Sequence, residues 1–281
     1  MRADATVVAF QGERGAYGEM AAVRYFPGAE LLPLKSFQDV FVAAENGDAD
    51  FAVVPVENSI EGSVNEIYDL LLQTRLLGVV GEIYQRVRHC LIANRGTKKG
   101  AVRYAHSHPQ ALAQCRKYLQ KHRIEPVPAY DTAGAAKTIN ETGSTDAAAI
   151  ASKRAAELYD MVILDEGIED RKNNFTRFLV LSTRRPVSKR LRPASYKTSI
   201  IFSVKHVPGA LFGIVGEFAV RKINLTKIES RPTKEKPWEY NFYVDFEGHS
   251  EEKPIKEALR AIKPKTLYVK ILGSYKKAEF R

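Results

Sequence analysis

The stretch TRRPVSKRLRPASYK, Thr183–Lys197, decides how this chain divides. It carries six of the excess cations, no acid and two prolines, with no apolar periodicity. Proline removes a backbone donor and pushes the residue before it to extended conformations, so neither a helix nor a strand runs through such a segment. It reads as a solvated basic linker, placed at 184–196, with a domain on either side.

After it the pattern is compact. TSIIFSV is a strand, and GALFGIVGEFAV is a helix with Leu211, Ile214, Val215 and Phe218 on one face. LTKIES and YNFYVDFEG are strands joined by the turn-rich RPTKEKPW. KPIKEALRAI places Ile255, Ala258, Leu259 and Ile262 in helical register, and LYVKILGSY closes the domain as a strand. The order βαββαβ predicts a ferredoxin-like unit over 197–281.

Before the linker, strands alternate with helices over 1–183, which is the α/β signature. TVVAF, ELLPL and the wholly apolar FAVVPV are strands. SFQDVFVAAENG is a helix, opened by a capping box of Ser36 and Asp39 and stopped at Gly47. VNEIYDLLLQT is a further helix, and LGVVGEIYQRVRHCLIAN is one or two long strands. VRYAHS is a strand that feeds a helix over PQALAQCRKYLQ, with Pro109 suited to its first turn.

The bulk properties exclude several classes. No 18-residue apolar stretch exists, so no transmembrane helix is expected. The N-terminus lacks the apolar core of a secretory signal, and two cysteines do not make a disulfide framework. A reduced, cytoplasmic protein without a membrane partner is expected. The formal net charge of +10 raises nucleic-acid binding, but the cations concentrate in the linker and not among aromatics.

Polar clusters fall at strand ends before helices, the edge where open α/β sheets bind ligands. QGERGAYG places Gly12, Gly15 and Gly18 after the first strand, either as turn glycines or for close backbone approach to a ligand. VPVENS sets Glu57, Asn58 and Ser59 past a buried strand, as a helix cap or as ligand contacts. SHPQALAQC places Ser107 and Gln110 at a helix start and Gln114 one turn in. Cys115 shares a face with Leu112 and Leu119 and reads as a core thiol. Thr132 opens another helix in DTAGAA. His106 and His108 have no neighbouring carboxylate or thiolate cluster, so no metal is expected. In NNFTRFLVLS, Thr176 offers a hydroxyl and Arg177 a permanent cation able to grip a carboxylate with two parallel hydrogen bonds. There is no P-loop and no Ser-His-Asp set. Such a site binds a small anion and assists a reaction that needs positioning and one proton.

These residues, with PGALF and NLTKIESRP in the second domain, resemble the prephenate dehydratase family. The blocks occur in family order and cover essentially the whole chain; TRF and ESRP are the specific ones. Gly18 stands where many members carry serine, and Arg14 where many carry proline. The resemblance implies a two-lobed catalytic domain like periplasmic type II binding proteins, with the site in the cleft. Its lobes are expected at roughly 1–77 with 165–183, and 78–164. The βαββαβ unit is then an ACT regulatory domain.

The implied reaction is a decarboxylating dehydration of prephenate to phenylpyruvate. Aromatisation supplies its driving force, so no cofactor is expected. The resemblance further implies Arg177 on a substrate carboxylate and Thr176 on the departing hydroxyl. Thr176 and Glu57 both stand as the proton source. Asn58, Ser59, Ser107, Gln114 and Thr132 position the substrate, and Phe178 excludes water. Gly209, Ala210, Leu211, Glu229, Ser230, Arg231 and Pro232 are the implied L-phenylalanine contacts, with a homodimer through ACT domains and a homotetramer beyond it. The absence of a chorismate mutase helical segment implies a monofunctional enzyme. Arogenate dehydratase shares these motifs, and a non-catalytic small-molecule binding protein is the rival from another class.

Overall fold

A computed structural model describes residues 5–184, 195–234 and 237–279. Most of the expected linker, residues 185–194, lies outside the described residues. The chain forms two compact units: up to Val64 together with Ile83–Phe178, and Asn65–Glu82 together with the chain from Leu179 on.

In the first unit β1 (Val7–Gln11) leads to α1 (Tyr17–Tyr25), β2 (Glu30–Leu34), α2 (Phe37–Asn46), β3 (Phe51–Asn58) and the short β4 (Gly62–Ser63). The chain then forms α3 (Asn65–Gln73) of the second unit, and β5 (Gly78–Arg86) returns it to the first. There follow β6 (Cys90–Ala93), β7 (Tyr104–Ser107), α4 (Pro109–Gln114), α5 (Arg116–His122), β8 (Glu125–Pro128) and α6 (Thr132–Thr142). β9 (Ala147–Ala151), α7 (Lys153–Leu158), β10 (Val162–Glu166) and β11 (Phe175–Ser182) complete the unit.

Two sheets result. One has the order β2-β1-β3-β11-β5, with β4 beside β3; the other runs β10-β6-β9-β7-β8. In the first sheet, β11 comes back from the far end of the domain sequence to stand between β3 and β5. That return places the TRF strand beside the strand that ends in Glu57 and Asn58. It also leaves the unit with two lobes, one built on each sheet.

The second lobe's core is unusually small in its side chains. β9 is five buried residues, four of them alanine, with Ala133, Ala135 and Ala136 of α6 in the same cluster. Alanine on both surfaces lets the helix lie close on the sheet.

The expected capping box at α2 is present: Ser36 Oγ accepts from the Asp39 amide at 3.1 Å, and Asp39 accepts in return from the Ser36 amide. The helix predicted over 109–120 is broken at Cys115. The Gln114 carbonyl is taken by the amide of Asp170 at 2.7 Å, so it does not accept from the next helical turn. Helix α1 carries no side-chain cap at Ala16, which explains why the sequence shows no start signal there.

The second unit contains β12 (Tyr196–Ser203), α8 (Ala210–Ala219), β13 (Leu225–Pro232), β14 (Tyr240–Glu247), α9 (Lys253–Ile262) and β15 (Tyr268–Lys276). This is the predicted βαββαβ order, in an antiparallel sheet β13-β14-β12-β15. Ile214, Phe218, Ile255, Ala258 and Ile262 are buried against Ile200, Phe202 and Phe246. Helix α3 belongs to this unit and is pinned to the sheet. The Tyr243 hydroxyl donates to the Tyr68 carbonyl at 2.8 Å. Lys270 Nζ caps the helix end by donating to the carbonyls of Leu71 and Leu72 at 2.8 and 2.9 Å, a favourable place for a cation. Below it Lys197 and Glu82 form a buried ion pair at 3.0 Å, their side chains 5% and 0% exposed.

Candidate active site

A cavity of about 560 Å³ opens in the first unit, with wall residues from both lobes. It is large enough for a ligand of one ring and two acid groups. Helices α1 and α6 begin on it: Tyr17, Gly18 and Thr132 are wall residues, so the positive ends of two helices face the space. Among the described residues of the wall there is no lysine or arginine.

Two glycines of QGERGAYG, Gly12 and Gly15, serve contact between the lobes. Gly12 has φ +108°, and a Cβ there would stand 2.6 Å from Asp131 Oδ2. That carboxylate accepts from the Glu13 amide at 2.8 Å through Oδ2, and caps α6 by accepting from the Ala133 amide at 2.7 Å through Oδ1. Gly15, at φ +93°, lies so close to Ala155 that a Cβ would meet its Cα at 2.9 Å. Ser152 Oγ donates to the Gly15 carbonyl at 2.6 Å. Gly18 has Phe10 and Gln11 of its own lobe near it and stands on the cavity wall.

On the opposite wall a buried amide network fixes one hydroxyl. Asn58 Oδ1 accepts from the backbone amides of Ile60 and Glu61 at 2.9 and 3.0 Å. Its Nδ2 therefore faces the other way, donating to Asn174 Oδ1 at 2.8 Å and to Thr176 Oγ1 at 3.0 Å. A hydroxyl that is already accepting has its own proton free to give, and the Thr176 side chain stands on the cavity wall. Asn174 passes the pattern on, donating through Nδ2 to Gln114 Oε1 at 2.7 Å.

The family model described as Prephenate dehydratase matches residues 8–186, and that described as ACT domain matches residues 198–264. The chain belongs to the prephenate dehydratase family. An Arabidopsis thaliana relative named arogenate dehydratase/prephenate dehydratase 2, chloroplastic, is 44% identical over 95% of this chain and 72% of its own length. Among solved structures, the Arthrobacter aurescens prephenate dehydratase in complex with L-Phe is 30% identical at TM-score 0.88, covering 97% of this chain and 90% of that one. Another, described as GqqA, a novel type of quorum-quenching acylase, is 36% identical at TM-score 0.89, covering 97% and 98%.

The motif residues of a prephenate dehydratase divide clearly here. Asn58, Gln114, Thr132, Thr176 and Phe178 come together on the wall. Arg177, Glu57, Ser59 and Ser107 are not wall residues. Strand β11 sends Thr176 and Phe178 to the cavity and places Arg177 between them, 6% exposed, on the alternate face. The cavity lining therefore takes its neighbours Thr176 and Phe178 and not Arg177 itself. Ser59 instead ties two segments, its Oγ donating to the Asn173 carbonyl at 2.9 Å and accepting from the Phe175 amide at 3.0 Å. Ser107, fully buried, donates to the Ile150 carbonyl at 2.6 Å. Glu57 pairs with Ser63 of β4 in the ladder, and Thr176 is the expected proton-relay group that reaches the cavity.

Cys115 lies in the core with Leu112 and Leu119, and burial raises its thiol pKa. Burial, with Glu166 nearby, pushes Cys90 up to about 11, so neither sulfur is a nucleophile at neutral pH. His108 caps α4 by accepting from the Gln110 amide at 3.2 Å. Among the described residues no group of three possible metal ligands gathers. Three residues of the network were missed in the sequence: Tyr17, His89 and Asn174. Asn174 lay in plain view before TRF, but no local pattern marks an asparagine that pairs with residues 60 and 116 positions away.

In the second unit the motifs expected to contact L-phenylalanine sit at a helix start and a strand end. Gly209 is the N-cap of α8 without a side-chain hydrogen bond, and Glu229–Pro232 close β13. Arg231 reaches Asp69 at 3.3 Å, while its buried Nε has no acceptor among the described residues. Burial works to raise the Asp69 pKa, and the hydrogen bonds and charges of Lys234 and Arg231 overcome it, leaving the carboxyl below its ordinary range.

Proposed function

We propose that this cavity converts prephenate into phenylpyruvate, carbon dioxide and water, with Thr176 handling the proton. The ring C–carboxylate bond breaks and its electron pair enters the ring. The C4–oxygen bond breaks, and its pair leaves with the hydroxyl, which takes one proton and departs as water. One proton is consumed for each dianion, and the ring becomes aromatic. The observation that carries this reading is the donor state of Thr176: its oxygen accepts from Asn58, leaving its proton for the leaving group. Threonine is too weak an acid to act unaided, so it relays a proton and is itself reprotonated as its own leaves. Gln114 and the helix-start amides of α1 hold the carboxylates, and Phe178 shields the ring.

An acylase reading would need an activated nucleophile. Thr176 Oγ1 is bonded to an amide donor, and among the described residues no histidine is hydrogen-bonded to it. Arogenate is the second substrate reading, supported by the Glu61 and Asp131 carboxylates on the wall, which suit an ammonium group. Incubating the protein with both substrates in competition tests both. Formation of neither phenylpyruvate nor phenylalanine refutes the dehydratase function.

The second unit is proposed to bind L-phenylalanine through Gly209–Leu211 and Glu229–Pro232, supported by the uncapped helix start and the orphaned Arg231 Nε. Binding must favour a less active state to inhibit. Saturating L-phenylalanine should shift the activity curve; an unmoved curve refutes the regulation. Pairing through this domain into a homodimer, and into a homotetramer beyond it, is supported by Phe212 and Val220, 81% and 75% exposed. Sedimentation in solution tests it. A 1–183 catalytic domain, a 184–196 linker and a 197–281 regulatory domain, in the cytoplasm, complete the proposal.

A further inference from the structure

Behind the amide network stands a histidine whose ring is engaged at both nitrogens. His89, 2% exposed, follows β5 and is a wall residue of the cavity. Its Nε2 lies 3.0 Å from Gln114 Oε1, and its Nδ1 lies 3.2 Å from the Tyr17 hydroxyl. That hydroxyl also donates to the Arg88 carbonyl at 2.8 Å. The backbone amide of His89 donates to Glu169 Oε2 at 3.0 Å.

Donor and acceptor roles in this chain of groups are determined from one end. The amides of Ile60 and Glu61 fix Asn58 Oδ1 as the acceptor, so Asn58 Nδ2 donates to Asn174 Oδ1. Asn174 Nδ2 must then donate to Gln114, which makes the atom it meets an oxygen. An oxygen can meet His89 Nε2 only if that nitrogen carries a hydrogen. In the neutral ring, which burial at 2% exposure favours, Nδ1 then has a lone pair, and the single Tyr17 proton is shared between it and the Arg88 carbonyl. With Gln114 Oε1 holding two donors, the amide nitrogen of Gln114 is turned away from the network, toward the ligand space.

We propose that His89 is a positioning residue, held as the neutral Nε2–H tautomer by Tyr17, whose donation to Gln114 Oε1 presents the Gln114 amide hydrogens to the substrate. This rests on the dehydratase reading only for its consequence in turnover; the tautomer stands or falls independently. Burial lowers the His89 pKa, against the weaker upward pulls of Gln114 and Glu169, in keeping with a neutral ring. The same burial raises Tyr17 well above its ordinary value, so the phenol keeps the proton it shares.

The decisive measurement is long-range ¹H–¹⁵N correlation of the intact wild-type protein. His89 should show a protonated Nε2 and an unprotonated Nδ1 at neutral pH. A cationic ring, or hydrogen on Nδ1 alone, overturns the proposal whether or not prephenate is turned over. The kinetic arm uses three variants. H89L should lower kcat/KM about 10-fold, the scale of one hydrogen bond near 1.4 kcal/mol. H89Q, which restores an N–H near the Nε2 position, should recover to within about 3-fold. In a Q114A background H89L should cost nothing further, because the group it orients is gone. Full additivity of the two losses, or H89Q no better than H89L, overturns the positioning role. Should the leucine variant fail to fold, the wild-type tautomer still decides.

Discussion

Replacing Thr176 by valine tests the chemistry with the least change of shape. Valine keeps both branches at Cβ and exchanges the hydroxyl for a methyl group. The hydrogen bond from Asn58 at 3.0 Å is lost, but Asn58 Nδ2 keeps its bond to Asn174 at 2.8 Å. The structural cost is therefore about one neutral hydrogen bond, roughly 0.5–1.5 kcal/mol. The catalytic cost is larger if the hydroxyl relays the proton: general acid catalysis contributes about 10²–10⁴-fold, or roughly 3–5 kcal/mol of barrier. The two effects separate by size. T176V should melt within a few degrees of the parent and turn over prephenate about 10²–10⁴-fold more slowly, mostly through kcat. T176S, which keeps the hydroxyl, should stay within about 10-fold. The assay is phenylpyruvate formation under saturating prephenate, beside a thermal melt of each variant. A T176V enzyme within a few-fold of the parent refutes the relay. If E57Q then proves inactive, the proton comes from Glu57 through a rearranged cavity.

Three further outcomes follow from the packing. K197M removes the Lys197 cation from the buried Glu82 carboxylate, which keeps a backbone amide from Ala278 at 3.0 Å, and should lower stability by about 3–5 kcal/mol in urea unfolding. A loss under about 1 kcal/mol would show that the pair is solvated in solution. G12A puts a methyl group 2.6 Å from the Asp131 carboxylate at a backbone angle of +108°, so it should cost at least about 1–2 kcal/mol and raise KM by loosening the cap on α6. An unchanged melting point and KM would refute the close lobe contact. Because His89 has a folded pKa below its unfolded value, its neutral form stabilises the fold above about pH 6.5, and that contribution is lost as pH falls through the depressed value. Stability curves against pH for the parent and H89Q should converge toward acid; parallel curves down to about pH 4.5 would show that the ring is not buried neutral.

Local signals in the sequence carried most of the fold. The capping box at Ser36, the helical spacing in 253–262 and the βαββαβ order all depend on residues close to one another, and all three appear as read. The failures depend on partners far away. Helix 109–120 breaks because Asp170 takes a carbonyl more than fifty positions earlier, which periodicity within the helix cannot reveal. The alternation along β11 was legible in TRF itself: a wall that uses Thr176 and Phe178 has the residue between them on the other face.

The lining of the cavity bears on the electrostatics of the proposed reaction. A guanidinium bonded directly to the ring carboxylate would stabilise the ground state most, because the charge is localised there and disperses as carbon dioxide forms. Among the described wall residues no such cation stands. The fixed dipole at the start of α1 and the amide of Gln114 favour an anion, against the Glu61 and Asp131 carboxylates on the wall, and leave a carboxylate in a partly desolvated space easier to lose. Thr176 then contributes where charge develops, on the departing oxygen, which is the kind of interaction that lowers a barrier without deepening the bound state. On this account a lysine introduced on the cavity wall, at Gln110 for instance, should tighten prephenate binding and lower kcat. A Q110K enzyme with tighter binding and undiminished kcat would show that carboxylate release is not the step the cavity favours.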